Sequence, residues 1–353
     1  SKPSSDEDTK RYMERLNKMR RIHLCEPLTE QTRPKCFDDI IGQEDGVQAI
    51  RIALSGANPQ HILIYGPPGV GKTAASRVAM EEAKKSKGTP FLKDAVFLEV
   101  DATTMHYDER SIADPLIGSV HDPIYQGAGA LGVSGIPQPK EGAVSKAHGG
   151  VLFIDEIGEL QPIQMNRLLK VLEDRKVNFE SSYYSSTSKN IPLYIHEIFK
   201  NGMPADFRLI GATTRRPEEI PPALRSRCVE VFFDALSEDD LFKIADNAVK
   251  KLGIVMSDDL KKRVCRYAAN GRDVVKILQT VSGKLNDEEK DTASKEDVDW
   301  VLRCGKYHPK YTLRTENVDK VGVVNGLAVT GNGGGMLLPI EVTARFSKAG
   351  KLI

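Results

Sequence analysis

The feature that most constrains the fold is a glycine-rich segment between an apolar run and a helical pattern. The segment consists of Gly66, Pro67, Pro68, Gly69, Val70, Gly71, Lys72 and Thr73, and it matches G-x-x-x-x-G-K-[ST]. In this context the glycines let backbone N–H groups surround a β-phosphate at a helix N-terminus. We expect Lys72 to contact the β- and γ-phosphates of ATP and the Thr73 hydroxyl to ligate Mg²⁺.

Short apolar runs alternate with helical patterns from residue 34 onward. Buried strands are predicted at 61–65, 95–100, 151–154, 207–211 and 229–233, with helices such as 72–84 and 164–172 between them. This alternation predicts a parallel sheet with helices on both faces. After residue 233 the strands stop, and helix start signals at Ser237, Ser257 and Ser294 predict a separate all-α domain.

Composition excludes several classes of protein. The chain has 353 residues, with 50 Lys and Arg against 49 Asp and Glu, so its formal net charge is +1. This balance argues against a protein whose main role is to coat nucleic acid or an anionic membrane. The 5 cysteines have neither redox nor metal-ligand spacing. No apolar run approaches the ~18 residues of a membrane span, although Ser1 is not an initiator methionine and an upstream anchor stays open.

The two ends of the chain differ from its middle. Residues 1–33 are rich in charge, and a weak stripe of Met13, Leu16 and Met19 predicts an exposed N-terminal helix and linker. A second linker is expected at 306–320. The runs at 321–330 and 336–346 flank a glycine-rich turn and predict a β-hairpin. Because an isolated hairpin is barely stable, residues 321–353 are interpreted as the start of a truncated domain.

Further polar residues follow the other predicted strands. Asp155 and Glu156 end an apolar run, and strand alternation points them in different directions. Asp155 is expected to hold Mg²⁺, and Glu156 to polarise the attacking water. Thr214, with Thr213 as the fallback, is expected to contact the γ-phosphate or its water. Together with the glycine-rich segment, these residues predict ATP hydrolysis.

A short predicted helix at 221–227 displays two arginines, Arg225 and Arg227. An arginine delivered to the γ-phosphate on a neighbouring subunit would stabilise the charge of the transition state. The alternative for either residue is an ordinary surface arginine, and we expect that description to fit one of the two.

These motifs, with the run from Arg33 to Glu44, resemble those of AAA+ ATPases. The resemblance implies an α/β P-loop core with a parallel five-stranded sheet at 34–234, an all-α lid at 235–305 and a C-terminal β fragment. The blocks at 114–127 and 142–151 resemble B-type Lon proteases of the bacterial, spore-former kind. The tail at 321–328 is similar to the strand that opens Lon peptidase domains, and the resemblance covers residues 26–353.

The resemblance implies roles for individual residues. Thr214 would be sensor 1, Arg227 the arginine finger acting in trans, and Arg272 sensor 2 at the start of a lid helix. Three further features are carried over. Ile41 and Gly42 would line the adenine pocket through their backbone, and Ile124 and Tyr125 would grip substrate on a pore loop. An insertion at 177–203 would form a second pore loop.

The implied function is the protein-unfolding and translocating motor of an ATP-dependent protease with a Ser–Lys dyad. Its partners would be unfolded or regulatory protein substrates and other copies of the chain in a homo-oligomeric ring, a hexamer by resemblance, with no specific nucleic acid. It would work in the cytoplasm, with a membrane tether upstream left open. Lon peptidases carry their serine in a Gly-Pro-Ser-Ala-Gly-like segment. Because Ser134, Ser145 and Ser347 lack that context, the chain is predicted to be proteolytically inactive.

Two other functions remain open. The first is a DNA-directed AAA+ motor of the branch-migration or clamp-loader kind, because residues 32–43 and 211–215 are similar in sequence to segments of such motors. The near-zero net charge, the β-rich tail and the lack of a basic winged-helix ending count against it. The third interpretation is a regulatory switch or chaperone that never had a peptidase part.

Overall fold

The computed structural model describes residues 5–22, 24, 34–105, 114–121, 136–309, 321–329 and 335–343. The chain divides into two compact units, residues 1–33 and 34–353. In the first unit, helix α1 spans Ser5–Arg20. Tyr12, Leu16 and Met19 are exposed on it.

The second unit contains the strands and the remaining helices. The strands are β1 His61–Tyr65, β2 Phe97–Asp101, β3 Gly118–His121, β4 Gln138–Glu141, β5 Val151–Asp155, β6 Lys176–Val177, β7 Met203–Pro204, β8 Arg208–Thr213, β9 Cys228–Phe232, β10 Val323–Val329 and β11 Gly335–Glu341. The helices are α2 Glu44–Leu54, α3 Lys72–Ala83, α4 Ala143–Lys146, α5 Pro162–Asp174, α6 Leu193–Asn201, α7 Pro222–Arg225, α8 Glu238–Leu252, α9 Asp258–Tyr267, α10 Gly271–Asp287 and α11 Lys295–Cys304.

The predicted parallel five-stranded sheet is confirmed. Its strand order is β2-β5-β8-β1-β9, and every neighbouring pair is parallel. The second strand begins at Phe97, two positions after the predicted start at residue 95. A turn directly precedes the strand, in which the Ala95 N–H donates to the Leu92 carbonyl, and the Val96 carbonyl already accepts the Val151 N–H of β5 at 2.9 Å.

The sheet is covered on both faces, as its near-continuous apolar strands require. Successive side chains of β1 enter different core clusters because strand residues alternate between faces. Leu63 packs with Leu152 in one cluster. Ile62 packs with Phe153 and Ile210 in the other.

Helices α8 to α11 follow the sheet and form the predicted all-α region. The predicted start signals Ser237, Ser257 and Ser294 are the N-cap residues of α8, α9 and α11. The start of α10 had no named signal, and there the Asn270 side chain accepts a hydrogen bond from the Asp273 N–H at 3.0 Å. Gln43, which directly precedes α2, makes two hydrogen bonds to the segment between β9 and α8. Its side-chain amide donates to the Asp234 carbonyl and accepts from the Asp234 N–H.

Two smaller features lie outside this framework. In the segment 177–203, the Tyr184 ring stacks on Phe199 with centroids 4.2 Å apart, and its hydroxyl is 2.9 Å from His196 Nδ1. At the C-terminal end, β10 and β11 form the predicted antiparallel hairpin, in register from Val323 opposite Glu341. Among the described residues, no helix is both long enough and apolar enough to cross a bilayer.

Candidate nucleotide-hydrolysis site

The glycine-rich loop connects the end of β1 to the start of α3, as predicted. Gly69 and Gly71 have φ angles of 75° and 97°, in the left-handed region that glycine adopts without a steric cost. Gly71 is the N-cap of α3, so the loop ends where the first free N–H groups of the helix point outward. This arrangement is typical of a phosphate-binding loop.

Lys72 is buried at the first position of α3, with Thr73 half-buried behind it. Its ammonium donates to the carbonyls of Gly66 at 2.6 Å and Pro67 at 2.8 Å. Burial lowers the pKa of Lys72, and the negative charge of Glu156 partly opposes that shift. The lysine is therefore held inside the loop. When a nucleotide binds, its phosphate oxygens would replace the two carbonyls as hydrogen-bond acceptors of the Lys72 ammonium.

Asp155 is the last residue of β5, and Glu156 follows it outside the strand, so strand alternation does not set the direction of the Glu156 side chain. Glu156 has a φ of 50°, and its Oε2 accepts hydrogen bonds from the N–H of Thr214 at 3.3 Å and from the Thr214 hydroxyl at 3.1 Å. Asp155 is half-buried, and burial followed by the charge of Glu156 raises the pKa of Asp155. The two carboxylates therefore have different surroundings, which suits different chemical roles.

The structure places Thr214, and not Thr213, beside the carboxylates. Thr213 is fully buried, and its Oγ1 accepts a hydrogen bond from the Arg215 N–H at 3.0 Å. Thr214 is exposed just beyond the end of β8, where its hydroxyl reaches Glu156. Of the two threonines, Thr214 is therefore the one whose hydroxyl lies beside Glu156, and its contact with a γ-phosphate or its water stays a prediction.

The helical region meets the glycine-rich loop at the start of α10. A Cβ atom added to Gly69 would lie 2.8 Å from Cγ of Asn270, so these two residues are in direct contact. Arg272 follows at the second position of α10, and its positive charge contributes to lowering the pKa of Lys72. The predicted sensor 2 residue thus lies at the phosphate-binding loop.

The segment expected to line the adenine pocket also contacts the helical region. Gly42 has a φ of 77°, and an added Cβ would lie 2.6 Å from Oδ2 of Asp240, in the first turn of α8. Ile41 is half-buried beside it. The loop, residues 41–42 and the starts of α8 and α10 therefore converge on one region.

This set of residues fits a nucleoside triphosphate with a divalent cation. The loop supplies N–H groups, and Lys72 and Arg272 supply positive charge for the phosphates. Burial disfavours the anionic form of Asp155, and a bound hard cation with oxygen ligands would relieve that cost. Thr73 is the second oxygen donor in the sequence position that such sites use.

Comparisons with known proteins agree with this geometry. The family described as magnesium chelatase, subunit ChlI, matches residues 36–189. Lon protease 2 of Bacillus subtilis is 57% identical over 342 residues, which is 97% of this chain and 62% of that protein. The chain is a LonB-like AAA+ protein.

More distant relatives are consistent with this family. The archaeal Lon protease of Thermococcus kodakarensis is 28% identical over 72% of the chain and 44% of its own length. The solved RuvB motor of Thermotoga maritima superposes with a TM-score of 0.51 at 20% identity, covering 77% of this chain and 72% of RuvB. That likeness shows the fold alone. The LonB-like chain spans about 62% of the length of the Bacillus subtilis relative.

The two candidate arginines of the LonB-like chain have different surroundings. Arg225 makes a bidentate ion pair with Glu230, with N–O distances of 2.8 and 3.3 Å. Arg227 is exposed, and its guanidinium donates to the Ala223 carbonyl at 2.7 Å. Arg227 directly precedes β9, so it lies at the amino edge of the sheet, whereas the glycine-rich loop follows the carboxyl end of β1.

Sequence reasoning missed two residues of the LonB-like site. Asp101 ends β2 directly opposite Asp155 in the register, and its charge helps to raise the pKa of Asp155. It could have been found, because it ends an apolar run as Asp155 does. Asn270 is of a residue type that favours helix N-caps, but nothing local predicts its contact with Gly69, which only the tertiary structure creates. Ile124 and Tyr125, the expected pore-loop pair, lie outside the described residues.

Proposed function

We propose that this chain is the ATP-hydrolysing motor portion of an ATP-dependent Lon-type serine protease, and that it unfolds and translocates protein substrates. The observation that carries the proposal is the pair of hydrogen bonds from Thr214 to Glu156, at the same sheet edge as Lys72 and Asp155. This geometry supports hydrolysis because it joins a phosphate-binding loop to a fixed carboxylate base.

In the proposed reaction, the loop N–H groups and Lys72 bind the β- and γ-phosphates. Thr73 and Asp155 would hold Mg²⁺, which supplies charge neutralisation at the phosphate oxygens. Glu156 accepts a proton from the attacking water. At the same time the water oxygen bonds to the γ-phosphorus, and the bond between the γ-phosphorus and the bridging oxygen of ADP breaks. Thr214 keeps the Glu156 carboxylate oriented, and the products are ADP and inorganic phosphate.

The proposed motor works as a homo-oligomeric ring, a hexamer in this proposal. Heterologous contacts around a ring bring one face of each copy to a different face of the next. Arg227 would then reach the γ-phosphate on a neighbouring copy, and Arg272 would couple the nucleotide to movement of the lid. Ile124 and Tyr125 are proposed to contact the polypeptide in the central pore.

The chain itself is proposed to lack peptidase activity, because no Gly-Pro-Ser-Ala-Gly-like segment occurs in its sequence. Ser145 Oγ is buried in α4 without a hydrogen-bond partner among the described residues, far from the exposed position that a nucleophile needs. Unfolded or regulatory proteins are the proposed substrates. The proposed location is the cytoplasm.

The deciding experiment compares the ATPase activity of the chain with casein, as an unfolded protein, and with duplex DNA. We expect casein to raise the rate and DNA to leave it unchanged at every salt concentration. Stimulation by DNA that falls steeply with salt would instead identify a DNA-directed motor. Glu156→Gln is the control, because it removes the proposed base while retaining the shape of the side chain. Normal turnover by this variant would exclude Glu156 as the base.

A further inference from the structure

A cavity of about 270 Å³ opens at the amino edge of the sheet, away from the nucleotide site. Its lining includes Arg175, Arg208 and Arg227, together with His61 and Asp206. His61 begins β1 and Arg208 begins β8, so the cavity lies at the edge opposite the glycine-rich loop. Nothing in the hydrolysis site of the same copy uses these arginines.

Arg208 does not give the cavity a free charge. Its guanidinium forms an ion pair with Asp206 at 3.2 Å, and its Nε donates to the Pro59 carbonyl at 2.6 Å. His61 Nδ1 accepts the Leu209 N–H at 3.0 Å, and burial lowers its pKa to about 4, so the imidazole is neutral near pH 7. The excess positive charge of the cavity therefore comes from Arg175 and Arg227.

Arg175 has a fixed backbone and an exposed side chain. It is the C-cap of α5 with a φ of 57°, its N–H donates to the Val171 carbonyl, and its own carbonyl accepts the Ala205 N–H. Glycine or asparagine is the usual choice at a left-handed C-cap. Within the part of the chain that the structure describes, the Arg175 guanidinium makes no hydrogen bond or ion pair. The fold therefore gives no local reason for an arginine at this position.

We infer that this cavity receives the γ-phosphate of ATP bound to a neighbouring copy, with Arg175 acting as a second trans cation beside Arg227. The inference rests on the proposed function, because it needs a ring that brings this edge to the next nucleotide site. Guanidinium groups match phosphate oxyanions in geometry and remain charged at all physiological pH values. Two converging arginines would distinguish ATP from ADP better than one.

The test measures nucleotide affinity in a Glu156→Gln background, in which the proposed base is absent. Fluorescent ATP and ADP analogues are titrated against Arg175→Gln, at protein concentrations above and below assembly. Arg303→Gln is the matched control, since Arg303 is an exposed arginine on α11 outside the cavity. We expect Arg175→Gln to weaken ATP binding on the order of tenfold in the assembled protein only, with ADP affinity like that of the control.

Three results would overturn the inference. The first is equal ATP affinity for Arg175→Gln and Arg303→Gln. If Arg227→Ala still weakened ATP binding in that case, the proposed function would stand and only the role of Arg175 would be excluded. The second is an effect that persists in dilute monomer. The third is Arg175-dependent thermal stabilisation of the monomer by inorganic phosphate, which would mean a site for free anions.

A lysine substitution separates charge from folding. Arg175→Lys keeps the positive charge but loses the bidentate guanidinium, so we expect an intermediate ATP affinity. If Arg175→Gln lowered the melting temperature, the comparison would be made between Arg175→Lys and the wild type instead. A lysine variant with ATP affinity as low as that of a folded glutamine variant would show that the position contributes no charge to the phosphate.

Discussion

The two edges of the parallel sheet are built differently. At the carboxyl edge, the polar groups are engaged within the chain: Lys72 with loop carbonyls, and Glu156 with Thr214. At the amino edge, Arg227 has one backbone carbonyl as its partner, and Arg175 lines the same cavity. The first edge thus contains the proposed base and the glycine-rich loop with their side chains already held in place, while the second presents cations suited to an anion from elsewhere.

This difference indicates how the proposed motor divides its chemistry between copies. The carboxyl ends of parallel strands are the usual place for a ligand site, because loops and helix N-termini converge there. The amino ends have no such convergence, so excess arginine charge there calls for a separate explanation. The following predictions test that explanation, beginning with the largest expected effect.

Removing either half of the proposed shared site should abolish hydrolysis, and mixing the halves should restore part of it. Arg227→Ala is expected to lower kcat by about 10³-fold, the low end for a trans arginine. Lys72→Ala should lose nucleotide binding. Mixed rings contain interfaces with an intact loop from one variant and an intact arginine from the other, so the ATPase rate of the mixture should exceed that of either variant alone.

The neighbouring arginine is the control for this experiment. Arg225→Ala removes the ion pair with Glu230 and should lower the melting temperature, while the ATPase rate per folded subunit stays within about twofold. Two results together would show that the amino edge has no role in catalysis. The ATPase rate of the mixture would not exceed that of the separate variants, and Arg227→Ala would be fully active at every dilution.

His61 gives the amino edge a pH response. Burial and the charge of Arg208 lower its pKa from 6.5 to about 4, with Asp206 partly opposing. The folded state binds the His61 proton less tightly than the unfolded state does. The contribution of neutral His61 to the free energy of unfolding is therefore fully present above pH 6.5, and it decreases as the pH falls towards 4. The loss should reach at most about 3 kcal/mol. Urea unfolding at several pH values should show a shallower loss for His61→Gln; an unchanged acid dependence would contradict the shift.

Thr214 tests whether the carboxyl edge is complete within one copy. Thr214→Val removes the hydroxyl that donates to Glu156 but leaves the backbone N–H in place. We expect kcat to fall by about 10- to 100-fold with little change in ATP affinity, since the hydroxyl orients the base and not the phosphates. Stopped-flow binding and steady-state turnover separate the two quantities.

Thr213→Val supplies the contrast. Its Oγ1 accepts a backbone N–H in the core, so the expected result is a lower melting temperature with nearly normal kcat. If Thr213→Val were the slower enzyme and Thr214→Val were normal, the fallback residue would be the functional one.

Sequence patterns predicted the parts of the site that are local in the chain. The glycine-rich loop, Asp155 with Glu156, and Thr214 each follow a recognisable apolar run, and the parallel sheet then brings them to one edge. The choice between Arg225 and Arg227 could not be made this way, because it depends on the ion pair with Glu230 on the next strand. Contacts such as that of Asn270 with Gly69 depend on the docking of α10, for which no local pattern exists.

The smallest predicted effect concerns that docking contact, and two glycines give a matched test. Gly69 and Gly56 both have positive φ angles, 75° and 83°, so alanine should cost about 1 kcal/mol of backbone strain at either position. A new Cβ at Gly56 meets nothing within 4 Å, whereas at Gly69 it would lie 2.8 Å from Asn270.

Gly69→Ala should therefore lose more stability in urea than Gly56→Ala, and it alone should also weaken nucleotide binding, by a few-fold, because it displaces the start of α10 and with it Arg272. Equal nucleotide affinities for the two variants would mean that the contact between Asn270 and the loop is incidental packing. The carboxyl edge would then be complete without the helical region, which would sharpen its contrast with an amino edge that is proposed to act on a second copy.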